Sequence, residues 1–149
     1  MEFNRHISRR LHEEHEATLA LWSRVETSLA ANRPDAGLLK SAAAALAEEL
    51  DRHFAFEEAE LFPRLAAAGE ADIGALLADE HATIRDVGRE FIALVKAEPG
   101  NARLRPLGLE LAERLVAHVQ KEEMSLLPSL DDLLDDDADR ELSSTYALA

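Results

Sequence analysis

The chain has no cysteine. Disulfides, thiolate zinc sites, iron–sulfur clusters and thiol catalysis are thereby excluded. Positive charge is also short: 16 Lys and Arg stand against 30 Asp and Glu, leaving −14 at pH 7. Such a surface repels phosphates, so neither nucleic acid nor an anionic membrane is expected as a partner. No apolar run approaches the ~20 residues that a membrane span needs. No basic-then-apolar leader opens the sequence, and a soluble cytoplasmic protein is the expectation. Aromatic and β-branched residues are sparse, and the Ala, Leu, Glu and Arg that replace them favour helix throughout. A chain of 149 residues is long enough to bury one core without staples.

What is present is periodic. Ile7, Leu11, His15, Trp22, Val25 and Leu29 recur at helical spacing and predict a helix over about 4–31. Asn32-Arg33-Pro34-Asp35 breaks it, with Asp35 as N-cap of the next. A second helix over 36–67 turns Leu39, Ala43, Leu46, Leu50, His53, Glu57 and Leu61 inward, and Pro63 should kink or restart it. The third, 71–97, carries Ile73, Leu77, His81, Ile84, Phe91 and Val95 on one face. The fourth, 102–127, presents Leu107, Leu111, Leu115, His118 and Glu122, and Pro128 is expected to end it. The tail 131–149 is acidic, with room for a short fifth helix near 138–146.

The fold class that follows is all-α: an up-down-up-down four-helix bundle over 1–130, then the acidic tail or short helix. It carries an internal pseudo-twofold repeat. Glu14-His15 superimposes on Glu80-His81, and His53-x-x-x-Glu57-Glu58 on His118-x-x-x-Glu122-Glu123. Residues i and i+4 lie one above the other on a helix, about 5.4 Å apart, so each H-x-x-x-E sets an imidazole beside a carboxylate. One inward histidine is ordinary in a core. Six inward polar groups in one slice (His15, His53, Glu57, His81, His118 and Glu122) would be costly to bury unpaired. Metal cations would neutralise them. Imidazole with carboxylate and no thiolate suits iron, manganese or zinc. Two six-coordinate ions offer about twelve positions, and these donors with a bridging oxide or hydroxide fill about ten. About two stay open for a small ligand such as O2, peroxide or nitric oxide.

The pattern H…HxxxE…H…HxxxE, closed in each half by E-x-x-L-[FL]-P, resembles the hemerythrin-like (HHE cation-binding) family over about residues 1–130. The resemblance implies a non-haem di-iron centre held by those six residues: two iron ions, ferrous or ferric, with an oxo or hydroxo bridge. Oxygen-carrying members have a fifth histidine where Arg85 stands, and an aspartate five residues past the last histidine where this chain has Glu122 at spacing four. With four histidines both irons keep an open position, which fits peroxide turnover better than reversible O2 storage. The resemblance thus implies peroxide dismutation, with iron or oxygen sensing or carriage as the alternative. A structural zinc or mixed-metal bundle is a third reading.

Around this set, His12 is either a flank residue, a fifth ligand or an outer donor. Arg85 is solvated, pairs a ligand carboxylate or steadies a bound peroxide. Glu58 and Glu123, rotated by ~100° from the ligand glutamates, are surface or outer groups that would join the metal only as a minor alternative. Trp22, Phe54, Phe56, Phe62 and Phe91 read as core and lid. His6 and the Asp131-Asp132 and Asp135–Asp137 clusters read as solvated. Tyr146 has no assigned role.

Overall fold

Helix propensity and periodic burial produce five helices and, among the described residues, no strand. The computed structural model describes residues 2–31 and 34–149. Asn32 and Arg33, half of the first expected break, lie outside them. Helix α1 is His6–Ala30. Helix α2 spans 36–67 as one rod, opened by Asp35, whose side chain accepts from Leu38 N at 3.1 Å. Helix α3 is Ala71–Ala97. Helix α4 spans 104–133, and α5 is Asp136–Leu148. Helix α1 packs on α2 and α4, and α3 packs on α2 and α4, which is the expected square of alternating helices.

Both long rods change winding at the repeated motif. Wider, π-type turns occupy Glu49–Phe54 and Glu57–Leu61 in α2, and Glu122–Leu126 in α4. Each copy then restarts as α-helix at Phe62-Pro63 or Leu127-Pro128. Proline has no N–H and its ring crowds the carbonyl four residues back, so relaxing to wider turns just ahead of it accommodates both. Pro128 therefore restarts α4 rather than ending it, and the rod runs on to Leu133.

Two hydrophobic cores result. One gathers Trp22, Val25, Leu29, Leu46, Leu50, Phe91, Leu111 and Leu115. The other gathers Ile7, Leu11, Leu61, Leu65, Leu77, Leu126, Leu130 and Tyr146. His15, His53, Glu57, His81, His118 and Glu122 fall between them in all four rods.

The C-terminal segment is not a frayed end. Helix α1 has no cap of its own. Its first amides are instead satisfied from across the chain. Asn4 N and Arg5 N donate to Asp131 at 2.7 and 3.0 Å. His6 N and Ile7 N donate to Asp139 at 2.8 and 2.9 Å. Asp139 is 4% exposed. These two carboxylates also meet the positive end of the helix dipole. Asp139→Ala should cost about 1–3 kcal/mol, because the buried Ile7 amide and the part-buried His6 amide lose their acceptor. Urea unfolding would show this as a lower midpoint at unchanged slope. A loss below about 0.5 kcal/mol, the scale of an ordinary surface change, would contradict the capping role.

Candidate metal centre

The six inward polar residues are all buried. Donor atoms of His15, His53, Glu57 and Glu122 lie within 4.8 Å of one another, and so do those of Glu57, His81, His118 and Glu122. Both glutamates belong to both sets, so each carboxylate can span two cations. Every Nε2 faces one of them. Glu57 approaches His53 Nε2 and His81 Nε2 at 3.1 Å each. Glu122 approaches His15 Nε2 at 2.8 Å and His118 Nε2 at 3.1 Å.

Two details bear on whether cations fit this layer. Glu57 Oε1 and Glu122 Oε2 are buried, and their nearest nitrogens, His81 Nε2 and His118 Nε2 at 3.1 Å, lie out of line for a good hydrogen bond. His81 Nε2 and His118 Nε2 are 3.0 Å apart, two imidazole nitrogens turned on each other. A buried carboxylate oxygen without a good hydrogen bond requires an explanation. A pair of cations among four nitrogens and two shared carboxylates supplies one, and the donor chemistry suits iron, manganese or zinc.

The outer faces of the imidazoles are ordered as fully as the inner ones. His53 Nδ1 faces Glu14 Oε1 at 3.1 Å, and His81 Nδ1 faces Glu58 Oε2 at 2.7 Å. His118 Nδ1 faces Glu80 Oε1 at 2.9 Å, and His15 Nδ1 faces Glu123 Oε2 at 2.7 Å. A carboxylate can only accept, so with a cation in the layer each Nδ1–H would donate outward and leave the Nε2 lone pair for the centre. The four contacts form a closed ring, since α1 holds the histidine of α2, α2 that of α3, α3 that of α4, and α4 that of α1. Each of these outer glutamates is the chain neighbour of an inward residue (Glu14 of His15, Glu58 of Glu57, Glu80 of His81, Glu123 of Glu122), and ~100° of helical rotation carries it to the adjacent rod.

A further layer neutralises these four acids. Arg85 grips Glu58 through both oxygens, at 2.6 and 3.0 Å. Lys121 pairs with Glu80, and His12 with Glu123. Glu14 accepts from Arg10 Nε at 3.0 Å and from the Tyr146 hydroxyl. His12 thus stands outside both donor sets, and Arg85 reaches Glu58 rather than the two shared glutamates. A third grouping, Glu14, Glu49 and His53, lies on the Nδ1 side. There Glu14 is already occupied by Arg10, His53 and Tyr146. Phe54 stacks on His81 at 3.8 Å and 6°, and Phe62 lies 5.5 Å from the same ring, so water is displaced from that side. His6 is exposed, as expected. A cleft of about 290 Å³ leads in to His53 past Thr18, Ala45 and Glu49. A second, of about 480 Å³ between α3 and α4, leads to His118.

Without a cation, protons take its place. Burial alone depresses His15, but its hydrogen bonds to the Glu122 and Glu123 carboxylates outweigh it and raise the imidazole to about 9. Burial likewise opposes, and Glu122 with Glu57 raises, His81 to about 9. His53 and His118 are also raised against burial, chiefly by Glu57 and Glu122 respectively. Glu122 is held well below its usual range, since four imidazole contacts overcome its burial. Each imidazole is thus held toward its protonated form, to about 9 for His15 and His81, while metal needs the lone pairs. Cation uptake at pH 7 should release protons, and affinity should rise with pH up to about 9. An indicator dye in weakly buffered solution measures this, and uptake without acidification would refute it.

Sequence reasoning passed over Glu14 and Glu80 as imidazole partners, although both precede a histidine in the repeat. Tyr146, Asp131 and Asp139 left no local signal.

These rods, with two histidine–glutamate sets sharing both carboxylates in a buried layer, define a helical-bundle metal-binding protein able to chelate a pair of ions. A family model described as the hemerythrin HHE cation binding domain matches residues 6–130, and the chain belongs to that family. Its four inward histidines are those of the four-histidine branch. Neither the comparison with curated proteins nor that with solved structures returned a match.

Proposed function

We propose that His15, His53, Glu57, His81, His118 and Glu122 hold two iron ions, and that the protein acts on peroxide as a non-haem di-iron oxidoreductase. The leading reaction is dismutation, in which two molecules of hydrogen peroxide give two of water and one of O2. The observation that carries this reading is the sharing of Glu57 and Glu122 between two buried donor sets that contain four histidines and no fifth. When bound, the irons supply one-electron steps between ferrous and ferric states.

The chain's own residues do the rest. Glu57 and Glu122 set negative charge between the two cation positions. Glu14, Glu58, Glu80 and Glu123 hold the four Nδ1–H groups and fix ring orientation. Phe54 and Phe62 keep bulk water off His81. The cleft beside Thr18 and Ala45 admits a molecule of peroxide's size toward His53.

The test is O2 evolution on adding peroxide to iron-loaded protein, against free iron at the same concentration. Evolution above that control, lost in Glu122→Ala and kept in a substitution at exposed His6, supports the reading. Equal gas in both refutes turnover and leaves sensing or carriage of iron or O2. One observation favours that second reading: the helix beyond the family match is hydrogen-bonded into the layer around the site.

A further inference from the structure

The family match ends at residue 130, yet the chain beyond it returns to the centre. Helix α5 lays Tyr146 against α1 and α2, and the phenol hydroxyl donates to Glu14, the carboxylate that receives His53 Nδ1–H at 3.1 Å. We propose that Tyr146 is a positioning residue for the metal centre, fixing Glu14 and thereby His53, so that docking of α5 and retention of one of the two cations are coupled.

The asymmetry of the contact supports this. His53 contributes to the donor set with His15 and takes no part in the set of His81 and His118. By the internal repeat, Glu80 is the counterpart of Glu14, and it is satisfied by Lys121 of the bundle itself. Among the described residues, only the first half draws a partner from outside the four rods. The hydroxyl is also separable from the packing that holds the ring. Tyr146 is 1% exposed. Its ring lies 4.6 Å from Phe56 and 4.2 Å beneath the Arg52 guanidinium, and Arg52 Nη2 donates to the Tyr146 carbonyl at 2.9 Å. None of these contacts uses the phenol oxygen.

An outer group that holds a ligand histidine's Nδ1–H sets which nitrogen faces the metal and at what angle. Loss of such a partner typically weakens metal binding about 10- to 100-fold. Coupling between two sites is reciprocal, so if α5 strengthens cation binding, the cation strengthens docking of α5 by the same factor.

Tyr146→Phe removes the oxygen and leaves the ring. The inference rests on His53 being a ligand, and the experiment separates the two claims. Wild type and variant are loaded anaerobically with ferrous iron, and release to a colorimetric chelator is followed over time. In parallel, hydrogen exchange is measured for amides 136–148 with and without iron. In the variant, one equivalent should leave about 10-fold faster while the other keeps the wild-type rate. Iron should slow exchange in α5 of the wild type and have a smaller effect in the variant. Release of both equivalents at wild-type rates, or equal acceleration of both, overturns the coupling. Failure of wild type to take up iron overturns the ligand assignment, and this inference with it.

Discussion

Alanine in place of Glu122 should abolish uptake of both cations rather than one. Glu122 is in both donor sets and approaches His15 Nε2 and His118 Nε2 from its two oxygens. Removing it takes an anionic donor from each position and leaves Glu57 as the only shared carboxylate. The loss should exceed the about 10- to 100-fold seen when an outer partner is removed. The variant should still fold, since the two apolar cores on either side contain none of its atoms and a buried carboxylate is itself costly. Metal analysis of protein reconstituted and desalted is the measurement. About zero equivalents is expected, whereas His81→Ala, which touches one set, should retain close to one. A full equivalent remaining in Glu122→Ala would mean that the carboxylate is not shared.

Stripping the metal should lower the thermal midpoint by about 15–30 °C. The layer between the cores then holds two buried glutamates and four crowded imidazoles, with His81 Nε2 and His118 Nε2 3.0 Å apart. An ion present at a thousand times its dissociation constant adds about 4 kcal/mol per site. For a chain of this size each kcal/mol moves the midpoint by about 2–4 °C. Two sites acting together give the stated range. Calorimetry of iron-loaded and chelator-treated samples decides the matter, and a difference within about 2 °C would show that the cations are not part of what holds the bundle.

How much of this was legible depended on the range of the contact. Helix α3 appears over the expected span, because its stripe is regular and Gly69 and Pro99-Gly100 stand just outside it. The six inward polar residues meet in one layer because an i,i+4 pair cannot avoid sharing a face. The two prolines look alike in sequence, yet Pro128 was read as an end. A proline signals only that one amide is missing, and Leu130, buried in the second core, draws α4 onward. Glu14 and Glu80 carried a visible repeat but no visible partner, since which rod a flank residue meets is set by packing. Tyr146 and Asp139 were silent for a plainer reason. Their partners lie 132 and 133 positions away, and no periodicity reports a contact of that span.

The crossed capping of α1 has a consequence for how the chain is made. The amides at the start of α1 are satisfied by Asp131 and Asp139, so that turn has no protein acceptors until the end of α4 and the start of α5 have left the ribosome. Synthesis is vectorial, and α2 and α3 can pair while the start still waits. The opening turn of α1 is thus among the last parts of the bundle to settle.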